Sequence, residues 1–294
     1  MRRKDLPMKT VYYTDERNDE FSGITRTDKV IDENYTYIHH NPVWRFLSII
    51  VYGCTLPVAY LYSKIKFGIR IEGKEALKPY RKEGYFLCGN HTQVPGDGFM
   101  QALVSFPKKN YVIVNAQNVA LKGTEQLMLM EGAMPLPTTL KGYKNFLGAL
   151  DERCGKGDSI ALYPEAHIWP YYTGIRNFPQ HAFNYPIREK KPVFSFTTIY
   201  KKRKNRSTPK IVIKVDGPFW PDSKLTGRQA EKELRDQVYK AMKARSMESD
   251  CEYIRYMKRT EEQGQSEKQQ SESQKKAENS VSMTSKEEVA ASKS

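Results

Sequence analysis

Apolar and polar residues change rhythm twice along this chain. The first forty residues are polar and rich in Tyr, Asp and Arg, with no periodic apolar pattern. From Phe46 to Tyr62 seventeen residues then pass without a charge, with Arg45 before them and Lys64, Lys66 and Arg70 after. A helix that crosses a bilayer needs about 20 apolar residues, with a lower limit near 17. Gly53 and Pro57 interrupt the run, so it predicts a re-entrant or interfacial helical pair over residues 42–64. Trp44, Tyr52, Tyr60 and Tyr62 would then sit at the headgroup boundary. The competing reading is a buried helix in a soluble core.

Beyond residue 65 short apolar runs alternate with segments of helical period. The runs predict strands at 67–72, 85–88, 111–115, 134–136, 159–163, 193–200 and 211–215. Helices are predicted at 74–81, 98–105, 123–130, 141–153 and 227–247. This alternation predicts an α/β domain over 65–258, with a largely parallel central sheet flanked by helices. In such sheets ligands bind at the carboxyl ends of the strands. From Glu261 onward the chain is almost entirely Gln, Ser, Glu, Lys and Ala, without an aromatic residue. It cannot bury enough apolar surface to offset chain entropy, so residues 259–294 are expected to be a disordered tail. The chain thus divides into a polar arm (1–41), a membrane-associated segment (42–64), the α/β domain and the tail.

Charge narrows the partners. The formal net charge is +14, and the tail, with seven Glu and five Lys, leaves about +16 for the rest. A body this basic suits nucleic acid, an anionic membrane surface or a phosphate-bearing substrate. The basic residues read as dispersed, with no basic-aromatic motif of the RNA-binding type, so nucleic acid is not expected as a partner. The four cysteines form no CxxC pair and have no zinc-ligand spacing, which predicts a reducing compartment and no metal site. The first forty residues are too polar to hold the apolar core of a cleavable signal peptide.

Two strand ends carry candidate chemistry. In Tyr85-Phe-Leu-Cys-Gly-Asn-His-Thr-Gln-Val-Pro-Gly-Asp97 an apolar strand ends at Asn90-His91, and Asp97 follows a Pro-Gly turn. A neutral imidazole accepts a proton near pH 7, and a carboxylate on its other nitrogen fixes the tautomer. The same residues also read as a strand-end histidine bonded to backbone and a helix N-cap aspartate. In Ser159-Ile-Ala-Leu-Tyr-Pro-Glu165 a second apolar strand presents an acidic residue, followed by His167, Trp169, Tyr171, Tyr172 and Arg176. Between the two lies Glu131-Gly-Ala-Met-Pro-Leu-Pro137, and Lys191-Pro-Val-Phe194 comes downstream.

The order of these four blocks, over about residues 67–215, resembles the bacterial 1-acylglycerol-3-phosphate acyltransferases and their lysophospholipid acyltransferase relatives. The resemblance implies a glycerolipid acyltransferase-like fold. It also implies transfer of a fatty acyl group from acyl-CoA or acyl carrier protein to a lysophospholipid hydroxyl, at the cytosolic face of a membrane and without a bound cofactor. It makes His91 the general base, Asp97 its orienting partner and Glu165 an acceptor-binding residue. Three departures stand out. Five residues separate His91 from Asp97 where the family has four, which requires Val94-Pro95-Gly96 to loop out. The family has arginines at the positions of Thr138 and Ile168, where they serve the acceptor phosphate. Lys122, Lys141, Lys144 and Arg176 are the candidates to replace them, and His167 is a further candidate for substrate binding. The alternatives are a non-phosphate lipid acceptor, or a non-catalytic membrane-binding protein on this fold.

Overall fold

The computed structural model describes residues 8–23, 28–94, 96–120, 123–204 and 206–260. The expectation of a disordered tail therefore lies outside the described residues, except for 259–260. The elements in chain order are β1 (Lys9–Tyr13), α1 (Pro42–Phe67), β2 (Arg70–Glu72), β3 (Tyr85–Gly89), α2 (Met100–Ser105), β4 (Asn110–Val114), α3 (Glu125–Met130), β5 (Ala133–Pro135), α4 (Leu140–Gly155), β6 (Ser159–Leu162), α5 (Asn184–Arg188), β7 (Val193–Lys201), β8 (Lys210–Phe219), α6 (Gly227–Ser246) and β9 (Ile254–Lys258). The predicted helix at 74–81 is a 3-10 helix, Lys74–Tyr80, with Pro79 inside it.

All seven expected strands enter one sheet, ordered β2-β8-β7-β3-β6-β4-β5. Every neighbouring pair is parallel except β7 with β8. The central strand explains why its sequence is apolar throughout. Successive side chains of a strand point to opposite faces, and here both faces are covered. Tyr85 and Leu87 pack with Phe194, Phe196 and Met100 on the side of α1 and α2. Phe86 and Cys88 pack with Phe146, Leu150, Leu234 and Met242 on the side of α4 and α6.

The helical pair expected over residues 42–64 is corrected. Residues 42–67 form a single continuous helix, not a helical pair. Pro57 and Gly53 both lie on its exposed side, so the hydrogen bond that Pro57 lacks is missing away from the packed face. Asn41 caps the start with its side chain, and Gly68, in the left-handed conformation, ends it. The arm also carries structure. β1 pairs in parallel with β9 in a separate two-stranded sheet, so the chain's first and last described strands lie side by side. Further along the arm Ile31 is fully buried, and Tyr37 donates to the Pro135 carbonyl at 2.8 Å.

Among the described residues, α1 is the one helix long and apolar enough to cross a membrane by length and composition. Its buried residues, Ser48, Leu56, Ala59, Ser63 and Phe67, form one narrow stripe against the domain. Polar contacts fix that stripe. Ser48 Oγ donates to the Met130 carbonyl at 3.0 Å, and the Tyr52 hydroxyl oxygen accepts from the Asn110 N–H at 3.2 Å. The remaining surface is apolar and exposed, including Phe46, Ile49, Val58, Leu61 and Ile65.

Candidate active site

β3 and β6 are adjacent and parallel, so the residues that follow them meet at one edge of the sheet. Gly89, the last residue of β3, makes this junction possible. A Cβ there would lie 2.2 Å from the Phe196 ring, which crosses beneath it from β7. Asn90 extends the strand with its side chain. Its Oδ1 accepts from the Thr198 N–H at 2.8 Å, and its Nδ2 donates to the Thr198 carbonyl at 3.0 Å. The backbone at His91 is thereby fixed to β7.

The His91 ring is held on two sides. Nδ1 lies 2.9 Å from Asp97 Oδ2. One face stacks on Tyr163, with ring centroids 4.5 Å apart and planes 24° apart. Tyr163 in turn meets Phe196 edge-on and places its hydroxyl 2.8 Å from the Asp97 carbonyl. Burial, with the Asp97 charge adding to it, pushes the Tyr163 phenol well above its ordinary range, so it remains a neutral donor. The extra residue between His91 and Asp97 is accommodated by a turn. Asp97 N–H donates to the Gln93 carbonyl at 3.0 Å, and Asp97 Oδ2 accepts from the Gln93 N–H at 2.8 Å. Asp97 is not the helix cap it resembles in sequence. It lies in a 3-10 turn, and α2 starts later, with Phe99 at the N-cap position.

The carboxylate of Asp97 is buried and the histidine side chain is 14% exposed. With the proton of the neutral ring on Nδ1, facing Asp97, Nε2 is left as an acceptor. Among the described residues no serine or cysteine side chain is hydrogen-bonded to His91. Cys88, the nearest in sequence, packs against Met242 on the other face of the sheet.

Glu165 is also at this edge, but it points inward. Oε2 accepts from the His91 N–H at 3.3 Å and from Arg176 Nη2 at 3.1 Å, and Oε1 accepts from the Arg176 N–H at 3.1 Å. Both side chains are buried. Burial pushes the Glu165 carboxyl up, and the Arg176 charge and the His91 N–H oppose the shift. Arg176 also donates to the His167 carbonyl and lies over the Trp169 ring. The remaining candidates are scattered. His167 Nδ1 lies 3.2 Å from Glu20 Oε2 of the arm. Lys141 and Lys144 are exposed on the first turns of α4, Thr138 pairs with Ile31 of the arm, and Lys122 lies outside the described residues.

Sequence reasoning missed the support for this edge. The Trp169 and Tyr171 N–H groups donate to the His91 and Thr92 carbonyls, at 3.0 and 2.9 Å. Trp169 is fully buried among Tyr13, Phe21, Tyr172 and Tyr256, and its Nε1 donates to the Asp19 carbonyl at 2.8 Å. The β1–β9 sheet thus closes over the loop that braces His91. The dense tyrosines of the arm were the available signal.

No protein-family model matches the chain, and no curated protein matches it. Among solved structures, the crystal structure of the 1-acyl-sn-glycerophosphate (LPA) acyltransferase, PlsC, from Thermotoga maritima is similar in fold. The identity is 16%, the match covers 71% of this chain and 88% of that chain, and the TM-score is 0.49.

Proposed function

We propose that this chain transfers a fatty acyl group from an acyl thioester to the hydroxyl of a lysophospholipid at a membrane surface. The observation that carries the reading is the 2.9 Å contact of His91 Nδ1 with the buried Asp97 carboxylate, at the carboxyl end of a central parallel strand. The resemblance of the four sequence blocks supports it independently. In the proposed reaction the acceptor oxygen attacks the thioester carbonyl, forming a C–O bond and breaking the C–S bond. His91 Nε2 takes the hydroxyl proton, Asp97 stabilises the imidazolium, and the proton passes to the departing thiolate. No covalent enzyme intermediate is involved, in keeping with the lack, among the described residues, of a hydroxyl or thiol bonded to His91. Acyl-CoA or acyl carrier protein serves as the donor.

In this reading Glu165 and Arg176 are positioning residues. Their charges face each other and bond backbone groups, and the Glu165 carboxylate holds the His91 N–H. That favours a second reading of the acceptor. With Arg176 buried and His167 tied to the arm, a non-phosphate lipid hydroxyl suits the edge as well as a phosphate-bearing one. Purified protein given an acyl thioester with lysophosphatidic acid, or with a neutral monoacyl lipid, decides between them. Turnover of the first alone supports the lysophospholipid reading, the second alone selects the alternative, and product from neither rejects acyl transfer.

The membrane seat follows from α1. A helix of 26 residues is about 39 Å long, enough to cross a bilayer. Its stripe from Ser48 to Phe67 is clamped lengthwise to the domain, so we propose that it lies in the interface, with its apolar side in the lipid. Changing Phe46, Ile49, Leu61 and Ile65 together to Ser should lower partition onto neutral phosphatidylcholine vesicles by on the order of 100-fold or more. All four are exposed, so the unfolding temperature should hold. Undiminished partition in a vesicle pelleting assay would count against the interfacial placement.

A further inference from the structure

Residues 201–210, around the β7–β8 turn, read Lys-Lys-Arg-Lys-Asn-Arg-Ser-Thr-Pro-Lys, with six basic residues and no acidic one. This run is a local exception to the dispersal of basic residues expected from the sequence. β7 runs parallel to β3 and passes Gly89 at Phe196, then continues to Lys201. Five further residues at about 3.3 Å each carry the turn roughly 16 Å beyond the end of β3, on the edge where His91 stands.

The turn is fastened to the end of α1. Of the last carbonyls of that helix, those of Ser63 and Lys64 accept from the Ile69 and Gly68 N–H groups. The next two accept from the turn: Arg206 Nη1 donates to the Ile65 carbonyl at 3.0 Å, and Arg203 Nη1 to the Lys66 carbonyl at 2.7 Å. Guanidinium groups thus occupy the negative pole of α1. Lys64 and Lys66, both exposed, add their charges at the same place. Among the described residues, the Asp250 carboxylate faces this cluster, 3.7 Å from Lys201 Nζ and accepting the Lys202 N–H, and Lys201 also donates to the main-chain carbonyl of Glu248.

We propose that this basic turn, together with Lys64 and Lys66, docks on the headgroups of an anionic phospholipid bilayer and turns the His91 edge toward the lipid. The proposal rests on the interfacial seat of α1 and not on the acyl-transfer chemistry. A bilayer suits both halves of the surface, since the cations meet headgroup phosphates while Leu61 and Ile65, one to five residues away from Lys64 and Lys66, enter the acyl region. A nucleic acid would satisfy only the cations, and the turn offers no aromatic ring for a base to stack on.

The test is a pelleting assay with the full chain on two kinds of vesicle, phosphatidylcholine alone and with about a third phosphatidylserine. Binding to the neutral vesicles reads α1 by itself, so its loss would overturn the interfacial seat. The gain on anionic vesicles reads the turn. Each basic residue near an anionic surface is worth about fivefold in partition, so K202A/K204A should lose about 30-fold on anionic vesicles and little on neutral ones. Its unfolding temperature should be that of the unaltered chain, because both side chains are exposed. K232A/K240A, on α6 across the sheet, removes the same charge and should change partition by less than about twofold. An equal loss for both pairs would reduce the effect to net charge and overturn the proposal. Unchanged anionic partition for K202A/K204A would overturn it too, and loss of oligonucleotide binding in that variant would assign the turn to nucleic acid.

Discussion

His91→Ala is expected to lower turnover by about 10²–10⁴-fold with the fold intact, toward the upper end of that range. An alcohol is a poor nucleophile until its proton is being removed, and no neighbouring described side chain is placed to take it. Asp97→Asn should lose less than His91→Ala, because the imidazole remains. Its penalty is in orientation and charge: an amide in place of Oδ2 no longer stabilises the imidazolium, and it can favour the wrong tautomer. Single-turnover rates for both variants, with unfolding temperatures alongside, check the result. Wild-type rates for His91→Ala would remove the base mechanism altogether. Silence of Asp97→Asn alone, within about twofold, would leave a lone histidine base.

Arg176→Met should be the most destabilising single change at the site. It leaves the Glu165 carboxylate buried without its countercharge, which typically costs about 3–5 kcal/mol. For a domain of this size that is roughly 6–20 °C in Tm. Adding Glu165→Gln should recover much of the loss, since replacing both charges removes the uncompensated one. The pH dependence has a definite sign. Burial holds the Glu165 carboxyl above its ordinary value, and losing Arg176 raises it further. The folded state then holds a proton that the unfolded state releases, so stability falls as pH rises through this window and recovers on acidification. The deficit of Arg176→Met should therefore shrink toward pH ~5. Denaturant titrations of the single and double variants at two pH values test this. A constant deficit would mean that the charge is not what is lost.

The main sheet was legible because its central strands, β3, β6 and β7, are buried on both faces. Runs such as Tyr85-Phe-Leu-Cys88 and Ser159-Ile-Ala-Leu162 have no polar residue to blur the pattern apart from their ends. β1 and β9 were missed for the opposite reason. Each is mostly exposed, with Lys9, Thr10 and Tyr12 in one and Arg255 and Met257 in the other open to solvent. Neither announces a partner so distant in sequence. The continuity of α1 was hidden by Pro57, read as a break although both it and Gly53 lie on the exposed side. At the site, His91 and Asp97 were legible as a candidate pair because a turn joins them. The closed pair of Glu165 and Arg176 was not, because both residue types also suit a substrate, and only the fold of the 163–178 loop turns them toward each other.

The pairing of β1 with β9 also puts an order on synthesis. Lys9 emerges from the ribosome long before Ile254, its partner in the parallel register. At about 5–20 residues per second, roughly 12–50 s separate them. Through that interval the strand that covers Trp169, and through it braces the His91 backbone, has nothing to pair with. The histidine edge is therefore among the last parts of this molecule to be finished, and a nascent chain that stops short of residue 254 carries the His91–Asp97 sequence without the clasp that closes over it.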